Sequence, residues 1–370
     1  MRFVIDARRA GSRPSGIGTY IRAVGSRLAD QTDEHVRFWV PPDAPKVSAR
    51  PNVSHHVLKS GTASVGSLLW PWRLDRFEPD DVFHATANIL GFGLPCRSIV
   101  TLHDVIWLEH PEWCQPNPWK LPFSRRYFSV GIRHGIEAAQ RIITVSHAAA
   151  DTILRTAPQV KDRLVVIPLA ADPDFRPPPS LEASRARAAQ LLGFQQPYFL
   201  VVGQNQPSKG HSYALSAFAR AQLKGHKLVF VQRLRHGHGL HAEALRHGVA
   251  DATYFVGAKS RADLICLMQG ATALLQPSLA EGFGLPTLEA MACGCPVIAS
   301  AIGPIVEVVG DAGCLVEPAQ ADPLSSGLTR IASEPSYAQE LRARGLERAQ
   351  RFSWQQTAEQ TLAVYRDVAS

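Results

Sequence analysis

Long apolar runs and cysteine motifs are both missing from this sequence of 370 residues. No apolar stretch reaches the length that a membrane-spanning helix needs. The chain opens on Met1-Arg-Phe-Val-Ile-Asp6, which predicts a strand rather than a signal peptide. The six cysteines form neither a Cys-x-x-Cys pair nor the dense framework of a small secreted protein, which favours reduced thiols. We therefore expect a cytoplasmic protein.

Basic runs of five or more residues are also missing, and no nucleic-acid-binding module is recognisable. The formal net charge is nevertheless +7, which favours anionic partners such as nucleotide-sugars or phospholipid surfaces, and we expect no nucleic acid. Hydrophobic residues make up 45% of the chain and charged residues 19%, as in a globular protein with sizeable cores. The length favours two domains over one.

The most informative pattern is a strand, loop, helix and strand between residues 271 and 299. The loop and helix read Glu281-Gly-Phe-Gly-Leu-Pro-Thr-Leu-Glu289. In a parallel sheet this loop lies at the carboxyl ends of the strands, where ligands bind, and the helix N-terminus favours an anion. The two carboxylates suit the hydroxyls of a polyol. From spacing alone, a structural glycine loop before a helix-start Glu explains the pattern equally well.

This stretch resembles the signature of retaining glycosyltransferase family 4. The similarity continues through Ala290-Met-Ala-Cys-Gly-Cys-Pro-Val-Ile-Ala299, Glu307-Val-Val-Gly-Asp-Ala-Gly313 and Phe352-Ser-Trp354. The resemblance implies an α/β chain with the GT-B fold, in which two Rossmann-like domains face each other across a cleft. We expect residues 1–170 plus 352–370 to form the acceptor-side domain and residues 180–351 the nucleotide-sugar-binding domain.

The resemblance also assigns roles to the signature loop. It implies that Glu281 holds the hydroxyls of the donor sugar and Glu289 the nucleoside ribose. The leaving diphosphate would be neutralised by Lys209 and by the amides of Gly282, Phe283, Gly284 and Leu285, since charge develops there in the transition state. No metal ion or other cofactor is expected.

One position departs from the family pattern. The family places an Arg and a Lys on the diphosphate after the first strand of this domain; Lys209 matches the Lys, but Gln204 stands at the Arg position. Gln carries neither the charge nor the bidentate fork of Arg. Arg233, which follows the predicted strand Lys227–Val231, is a candidate replacement.

Two features of the first domain also match. Gly16-Ile-Gly18 lies between a strand and a helical pattern, which suits either phosphate binding or a plain tight turn. His103 follows the predicted strand Ser98–Leu102, and a single His is more often structural than catalytic. The resemblance implies that the glycines approach the donor and that His103 lies at the donor sugar.

Two motifs suggest metal ligation, but we interpret both as loops. Asp172-Pro-Asp174 is similar to the metal-binding DxD motif of another glycosyltransferase class, yet its proline marks a turn in a Pro-rich linker. His236, His238 and His241 cluster in a Gly-rich loop that makes a poor metal cage.

Aromatic and basic residues cluster twice in the first domain. Ser67–Leu74 contains Trp70 and Trp72, and an irregular loop is predicted between Trp107 and Tyr127. Either could touch an acceptor or an anionic membrane. Core packing is the favoured interpretation of the first, and a solvated basic face explains the second equally well.

Together these features predict a retaining hexosyltransferase that uses a nucleotide-sugar donor and a glycan or lipid-linked acceptor. Gly16-Ile-Gly-Thr-Tyr20 is similar to bacterial mannosyltransferases of surface-polysaccharide assembly, which favours GDP-mannose. We expect the protein at the inner face of the cytoplasmic membrane. A nucleotide-sugar epimerase or phosphorylase on the same fold is one alternative, which product formation without acceptor would reveal. A non-catalytic sugar-nucleotide-binding protein is another.

Overall fold

The computed structural model describes residues 1–11, 15–62, 64–115, 117–232 and 239–370. The chain divides into two compact units. The first comprises Met1–Ala170 and Ser353–Ser370, and the second comprises Ala171–Phe352.

The first unit is built on a parallel sheet of seven strands within the described residues, in the order β3-β2-β1-β4-β5-β6-β7. These strands are β1 (Arg2–Asp6), β2 (His35–Val40), β3 (Val53–Val57), β4 (Asp81–Ala85), β5 (Arg97–Leu102), β6 (Arg141–Thr144) and β7 (Leu164–Val166). The central strands β1, β4 and β5 are almost entirely buried, as expected for a sheet that helices cover on both faces.

Helices of the first unit pack around this sheet. They are α1 (Gly16–Asp30), α2 (Val65–Leu69), α3 (Ile106–Glu109), α4 (Pro111–Cys114), α5 (Leu121–Ala138) and α6 (His147–Thr156). The C-terminal helix, which we number α15 (Trp354–Ala369), also belongs to this unit and packs against α1.

A buried hydrogen-bond network fastens α15 to the sheet. His84 Nδ1 lies 2.6 Å from Tyr365 Oη, and His84 Nε2 lies 2.7 Å from Thr101 Oγ1. Thr101 Oγ1 in turn lies 3.1 Å from Tyr20 Oη on α1. Burial lowers the pKa of His84 to about 3, so the imidazole is neutral and bridges the two hydroxyls without bringing a charge into the core.

The second unit is built on a parallel sheet of six strands within the described residues, in the order β10-β9-β8-β11-β12-β13. Its strands are β8 (Tyr198–Val202), β9 (Lys227–Val231), β10 (Thr253–Phe255), β11 (Ala273–Gln276), β12 (Val297–Ser300) and β13 (Cys314–Val316). Its helices are α7 (Leu181–Leu192), α8 (His211–Ala221), α9 (Gly239–Arg246), α10 (Arg261–Gly270), α11 (Leu285–Ala292), α12 (Gly303–Val309), α13 (Ala321–Ser333) and α14 (Pro335–Ala349).

The prediction of two Rossmann-like parallel-sheet units is confirmed. The prediction of an irregular loop between Trp107 and Tyr127 was wrong, because α3, α4 and the first turns of α5 lie there. Pro111 and Pro122 occupy first-turn positions of α4 and α5, where the missing N–H breaks no helical hydrogen bond. No helix in the described ranges is long and apolar enough to cross a membrane.

Candidate active site

In the second unit, the loops that follow β8 and β11 are tied together. The amide of Leu279 donates to Ser208 O over 2.8 Å. Gly210 has a φ of +63°, and a Cβ built on it would lie 2.0 Å from Pro277 O. Only glycine lets the two backbones approach this closely. The contact brings Lys209 and Glu281, far apart in the sequence, to the same edge of the sheet.

Lys209 and Glu281 form an ion pair at this edge. Lys209 Nζ lies 2.7 Å from Glu281 Oε1 and 2.8 Å from Oε2. Gln276 Nε2 and Ser278 Oγ each donate to Oε1 over 2.9 Å. The Glu281 side chain is only 9% exposed, whereas that of Lys209 is 24% exposed. The carboxylate is therefore fixed, and the lysine is the partner that an incoming anion can reach.

The signature loop leads directly from Glu281 into α11. Gly284 has a φ of +95°, and a Cβ on it would lie 2.3 Å from Ile305 Cδ1. The Thr287 hydroxyl donates to Gly284 O over 2.7 Å, and Phe283 is buried with its ring edge-on to Phe352. These contacts fix the backbone of the loop at the start of α11, where the first-turn amides of a helix have no intrahelical partner.

Glu289 lies about one turn into α11 and is 8% exposed. Burial raises its pKa to about 8; the positive charge of Arg261 opposes that rise and the negative charge of Asp172 adds to it. At neutral pH the Glu289 carboxyl is therefore protonated in most molecules of the free protein. A protonated carboxyl can donate one hydrogen bond and accept others, which suits a pair of neighbouring hydroxyls.

The Asp172-Pro-Asp174 motif is held in a salt-bridged turn. Arg261 on α10 lies 2.5 Å from Asp172 Oδ2 and 3.5 Å from Asp174 Oδ2, and its guanidinium lies 5.4 Å from the centroid of Phe175. The amide of Asp174 donates to Asp172 Oδ1 over 3.2 Å. These contacts support its interpretation as linker. Within the described ranges, no group of three or more His, Cys, Asp or Glu side chains is placed to hold a metal ion.

In the first unit, His103 lies at the carboxyl end of β5. Its amide donates to Asn88 Oδ1 over 2.7 Å, and its Nε2 lies 3.0 Å from Thr86 O. Because a carbonyl only accepts, Nε2 carries the proton and Nδ1 is an acceptor. Tyr20 packs edge-on at 5.0 Å, and burial lowers the pKa of His103 to about 4. His103 is thus a neutral hydrogen-bond acceptor suited to a hydroxyl.

The two glycines of the first loop differ in their surroundings. A Cβ on Gly18 would lie 2.8 Å from Arg9 O and 2.9 Å from Ser15 Oγ, the N-cap oxygen that accepts from the Gly18 amide. At Gly16, no atom of the described residues lies within 4 Å of such a Cβ. Gly18 is therefore required for packing, whereas Gly16 leaves open space.

Arg233 lies outside the described residues, as do His236 and His238. Gln204 is half-buried, and its carbonyl accepts from the Gln206 amide. Sequence reasoning missed Gln276, Ser278 and Thr287, which orient Glu281 and the loop. Their signal in the sequence was weak, because Gln, Ser and Thr are common at strand ends and in loops of any protein.

Comparisons with known proteins show which family the chain belongs to. Residues 184–351 match the family described as glycosyl transferases group 1, and residues 14–175 match glycosyltransferase family 4. O-antigen chain mannosyltransferase B of Escherichia coli is 30% identical over 301 residues, covering 80% of this chain and 76% of that protein. MMP alpha-(1->4)-mannosyltransferase of Mycolicibacterium hassiacum is 33% identical over 286 residues, covering 75% and 66%.

A solved structure shows the same fold. Anabaena HepE in complex with UDP and glucose superposes with a TM-score of 0.76 at 17% identity, covering 99% of this chain and 100% of that chain. The chain belongs to the group 1 glycosyltransferases of family 4, and its fold is GT-B. The roles of the individual site residues stay predictions.

The burial of Glu289 leads to a testable prediction about how the free energy of unfolding depends on pH. A carboxyl whose pKa is raised by folding stabilises the fold below its unfolded pKa, and that stability is lost as the pH rises through the folded pKa. Glu289→Gln stays neutral at every pH. The free energy of unfolding of this variant relative to wild type should therefore rise from about pH 5 to about pH 8, by at most roughly 1.4 kcal/mol per pH unit.

Melting curves recorded by circular dichroism across this range test the prediction. Glu340→Gln, an exposed change on α14, is the control and should show a constant difference. The buried histidines titrate equally in all three proteins. A Glu289→Gln difference that does not change with pH would contradict the burial of this carboxyl.

Proposed function

We propose that this enzyme transfers a hexose, with retention, from a nucleotide diphosphate sugar to a hydroxyl of a glycan or lipid-linked acceptor. Mannose from GDP-mannose is the favoured donor, because relatives at 30% and 33% identity are named mannosyltransferases. The observation that carries the proposal is the Lys209–Glu281 pair beside the signature loop. The comparisons give no support to the epimerase or phosphorylase alternative.

Charge compensation is the first task of the proposed site. The bond from the anomeric carbon to the diphosphate breaks, and the diphosphate leaves with the electron pair. Lys209 and the amides of Gly282–Leu285 would hold the negative charge that develops, and such preorganised donors are often the largest catalytic contribution. With this set of donors the reaction would need no metal ion. The complex of HepE with UDP supports a nucleotide ligand for the fold.

Positioning of the donor sugar is the second task. Glu281 is fixed by Gln276 and Ser278, so a carboxylate oxygen faces Lys209 in a defined direction. When the diphosphate draws Lys209 away, Glu281 would take hydrogen bonds from sugar hydroxyls instead. His103, neutral and with Nδ1 as acceptor, would hold a further sugar hydroxyl.

Retention then follows from a front-face reaction. The acceptor oxygen bonds to the anomeric carbon on the face from which the diphosphate departs. Its proton passes to an oxygen of the leaving diphosphate, so atoms and charge balance without an enzyme-bound sugar. Glu289 would hold the nucleoside ribose.

Part of the first unit's surface suits contact with an anionic membrane. We propose that the protein docks through this surface at the inner face of the cytoplasmic membrane. Four aromatic side chains are exposed: Trp70 at 45%, Trp72 at 43%, Trp119 at 92% and Phe123 at 69%. A Cβ on Gly131 of α5 would lie 3.2 Å from Leu68 Cδ1, so α5 packs against α2.

Exposed basic residues accompany these aromatics. They are Arg73, Lys120, Arg125, Arg126 and Arg133. We call these nine residues the aromatic–basic surface. Aromatic insertion and attraction to anionic lipid are two weak signals that together can anchor a protein.

The donor-site model predicts different defects for the two glutamates. Glu281→Gln should lower kcat about tenfold or more while nucleotide binding stays intact or tightens, because Lys209 is released. Glu289→Gln should weaken GDP binding about tenfold at a pH above the Glu289 pKa of about 8. Each change replaces a charge-assisted hydrogen bond, worth about 1.5–3 kcal/mol, with a neutral one.

Initial rates with GDP-mannose and calorimetric GDP titrations on the same preparations test this model. Glu340→Gln is the control and should leave both quantities unchanged. The assignment is wrong if Glu281→Gln weakens nucleotide binding and Glu289→Gln leaves it intact.

The membrane proposal predicts that the protein sediments with phosphatidylglycerol vesicles at low salt and is released at high salt. The double variant Trp119→Ser, Phe123→Ser should lose most of this binding. Leu245→Ser, which removes a side chain that is 60% exposed in the second unit, should not. Equal recovery in the supernatant with phosphatidylglycerol and phosphatidylcholine vesicles would refute the proposal.

A further inference from the structure

Tyr20 on α1 is a buried aromatic residue to which the proposed function gives no role. It ends the sequence Gly16-Ile-Gly-Thr-Tyr20, lies about one turn into the helix and is 2% exposed. Its hydroxyl lies 3.1 Å from Thr101 Oγ1, and its ring packs edge-on against His103 with the ring centroids 5.0 Å apart. Tyr20 therefore contacts two side chains at the carboxyl end of β5, one through its hydroxyl and one through its ring.

The position of the Tyr20 ring is fixed by the buried network that also holds α15. Thr101 Oγ1 lies 2.7 Å from His84 Nε2, and His84 Nδ1 lies 2.6 Å from Tyr365 Oη. The Tyr20 ring also contacts Trp354 at the start of α15, with the ring centroids 6.5 Å apart. A phenol that is held both at its hydroxyl and at its ring presents a fixed surface to its neighbours.

His103 is the neighbour that lies against this fixed surface. Thr101 and His84 are 0% and 1% exposed, whereas His103 is 7% exposed. His103 is therefore the member of this buried cluster that a substrate can reach. Its Nε2 donates to Thr86 O over 3.0 Å, which leaves Nδ1 as the acceptor. Loss of the Tyr20 ring would admit water to the imidazole and remove a contact that fixes its plane.

The charge state of His103 depends on the groups that face it. In the part of the chain that the structure describes, these are Tyr20 on α1, the neutral His84 on β4 and the positively charged Arg9 after β1. Burial is the main cause of the low pKa of His103, so hydration would raise this pKa toward the ordinary value. A protonated imidazole donates at both nitrogens and accepts at neither. It could not accept a hydrogen bond from a sugar hydroxyl.

We propose that Tyr20 is a positioning residue for the reaction, whose ring excludes water from His103 and holds the imidazole so that Nδ1 accepts a hydroxyl of the donor sugar. This inference rests on the proposed function, because it explains how the histidine of that site is kept as an acceptor. The Tyr20 hydroxyl contributes indirectly, since its hydrogen bond with Thr101 fixes the ring. Tyr20 thereby joins α1, which begins at the Gly16–Gly18 loop, to the strand that precedes His103.

NMR spectra of protein labelled with ¹⁵N-histidine test the proposal, because they report the charge and tautomer of each imidazole. The His103 signals are identified by their loss in His103→Gln. At about pH 5, between the His103 pKa of about 4 and the ordinary value of about 6.5, wild type should show a neutral His103 with its proton on Nε2. Tyr20→Leu should show a largely protonated His103. Tyr20→Phe, which keeps the ring but not its hydrogen bond, should lie between the two.

Initial rates with GDP-mannose give a second readout. Tyr20→Leu should lower kcat about tenfold at about pH 8, because a misplaced acceptor loses its hydrogen bond to the sugar. The KM should change less, since the second unit would bind the nucleotide. The ratio of this kcat to that of wild type should fall further, by up to about fourfold, between about pH 8 and about pH 6. An imidazole with a pKa of about 6.5 is only about one quarter neutral at the lower pH.

Tyr365→Phe is the matched control, because it removes a buried phenol hydroxyl from the far end of the same network. It should lower the melting temperature, as Tyr20→Phe does, but leave the titration of His103 and kcat as in wild type. The proposal is overturned if His103 stays neutral at about pH 5 in Tyr20→Leu. It is also overturned if Tyr365→Phe changes this titration as much as Tyr20→Leu does.

The comparison stays decisive if Tyr20→Leu fails to fold. His103 spectra that are equal in Tyr20→Phe and Tyr365→Phe would then overturn the proposal. If wild type transfers no mannose from GDP-mannose, the proposed function is contradicted, and the NMR spectra still decide whether Tyr20 holds His103.

Discussion

One ion pair, between Lys209 and Glu281, organises the candidate site of the second unit. In the free protein the lysine compensates a carboxylate that Gln276 and Ser278 also hold. The pair keeps a nearly buried charge satisfied, which would otherwise be costly. It also places the positive charge of Lys209 beside the signature loop, where we propose that the donor diphosphate binds. Close backbone contact between Gly210 and Pro277 makes the pair possible.

The first unit also contains a buried ion pair at the carboxyl edge of its sheet. Arg8 donates to both carboxylate oxygens of Asp6, so the two charges compensate each other. His103 is kept neutral by burial and is oriented by Thr86 and Asn88. Each unit thus places oriented hydrogen-bonding side chains at the carboxyl edge of its sheet. Such an arrangement suits substrates that combine phosphate with sugar hydroxyls.

Much of the fold could be predicted from apolar runs. The strands β1, β5, β9, β11 and β12 were predicted because they are buried on both faces, which gives each a continuous hydrophobic sequence. The strands β3, β7, β10 and β13 were missed. They lie at the outer ends of the two sheets and are only partly buried, so polar residues such as His55 and His56 interrupt their pattern. The prolines between Trp107 and Tyr127 suggested a loop, although two of them begin helices.

The site was less predictable, since its contacts join residues far apart in the chain. Family resemblance supplied Lys209 and Glu281 as separate residues, but not their direct contact or the supporting Gln276 and Ser278. The charge state of Glu289 could not be read from the sequence either, because it depends on burial by tertiary packing.

The most direct test is a double-mutant cycle on Lys209 and Glu281, with GDP binding measured by calorimetry. Wild type, Lys209→Met, Glu281→Gln and the double variant complete the cycle. If GDP draws Lys209 away from Glu281, the free energy of breaking this ion pair reduces the affinity for GDP. This cost exists only in wild type, where both residues are present. Lys209→Met should then weaken binding by about 1 kcal/mol more in the Glu281→Gln background than in wild type. Additive effects within about 0.5 kcal/mol, or no effect of Lys209→Met in either background, would contradict the account.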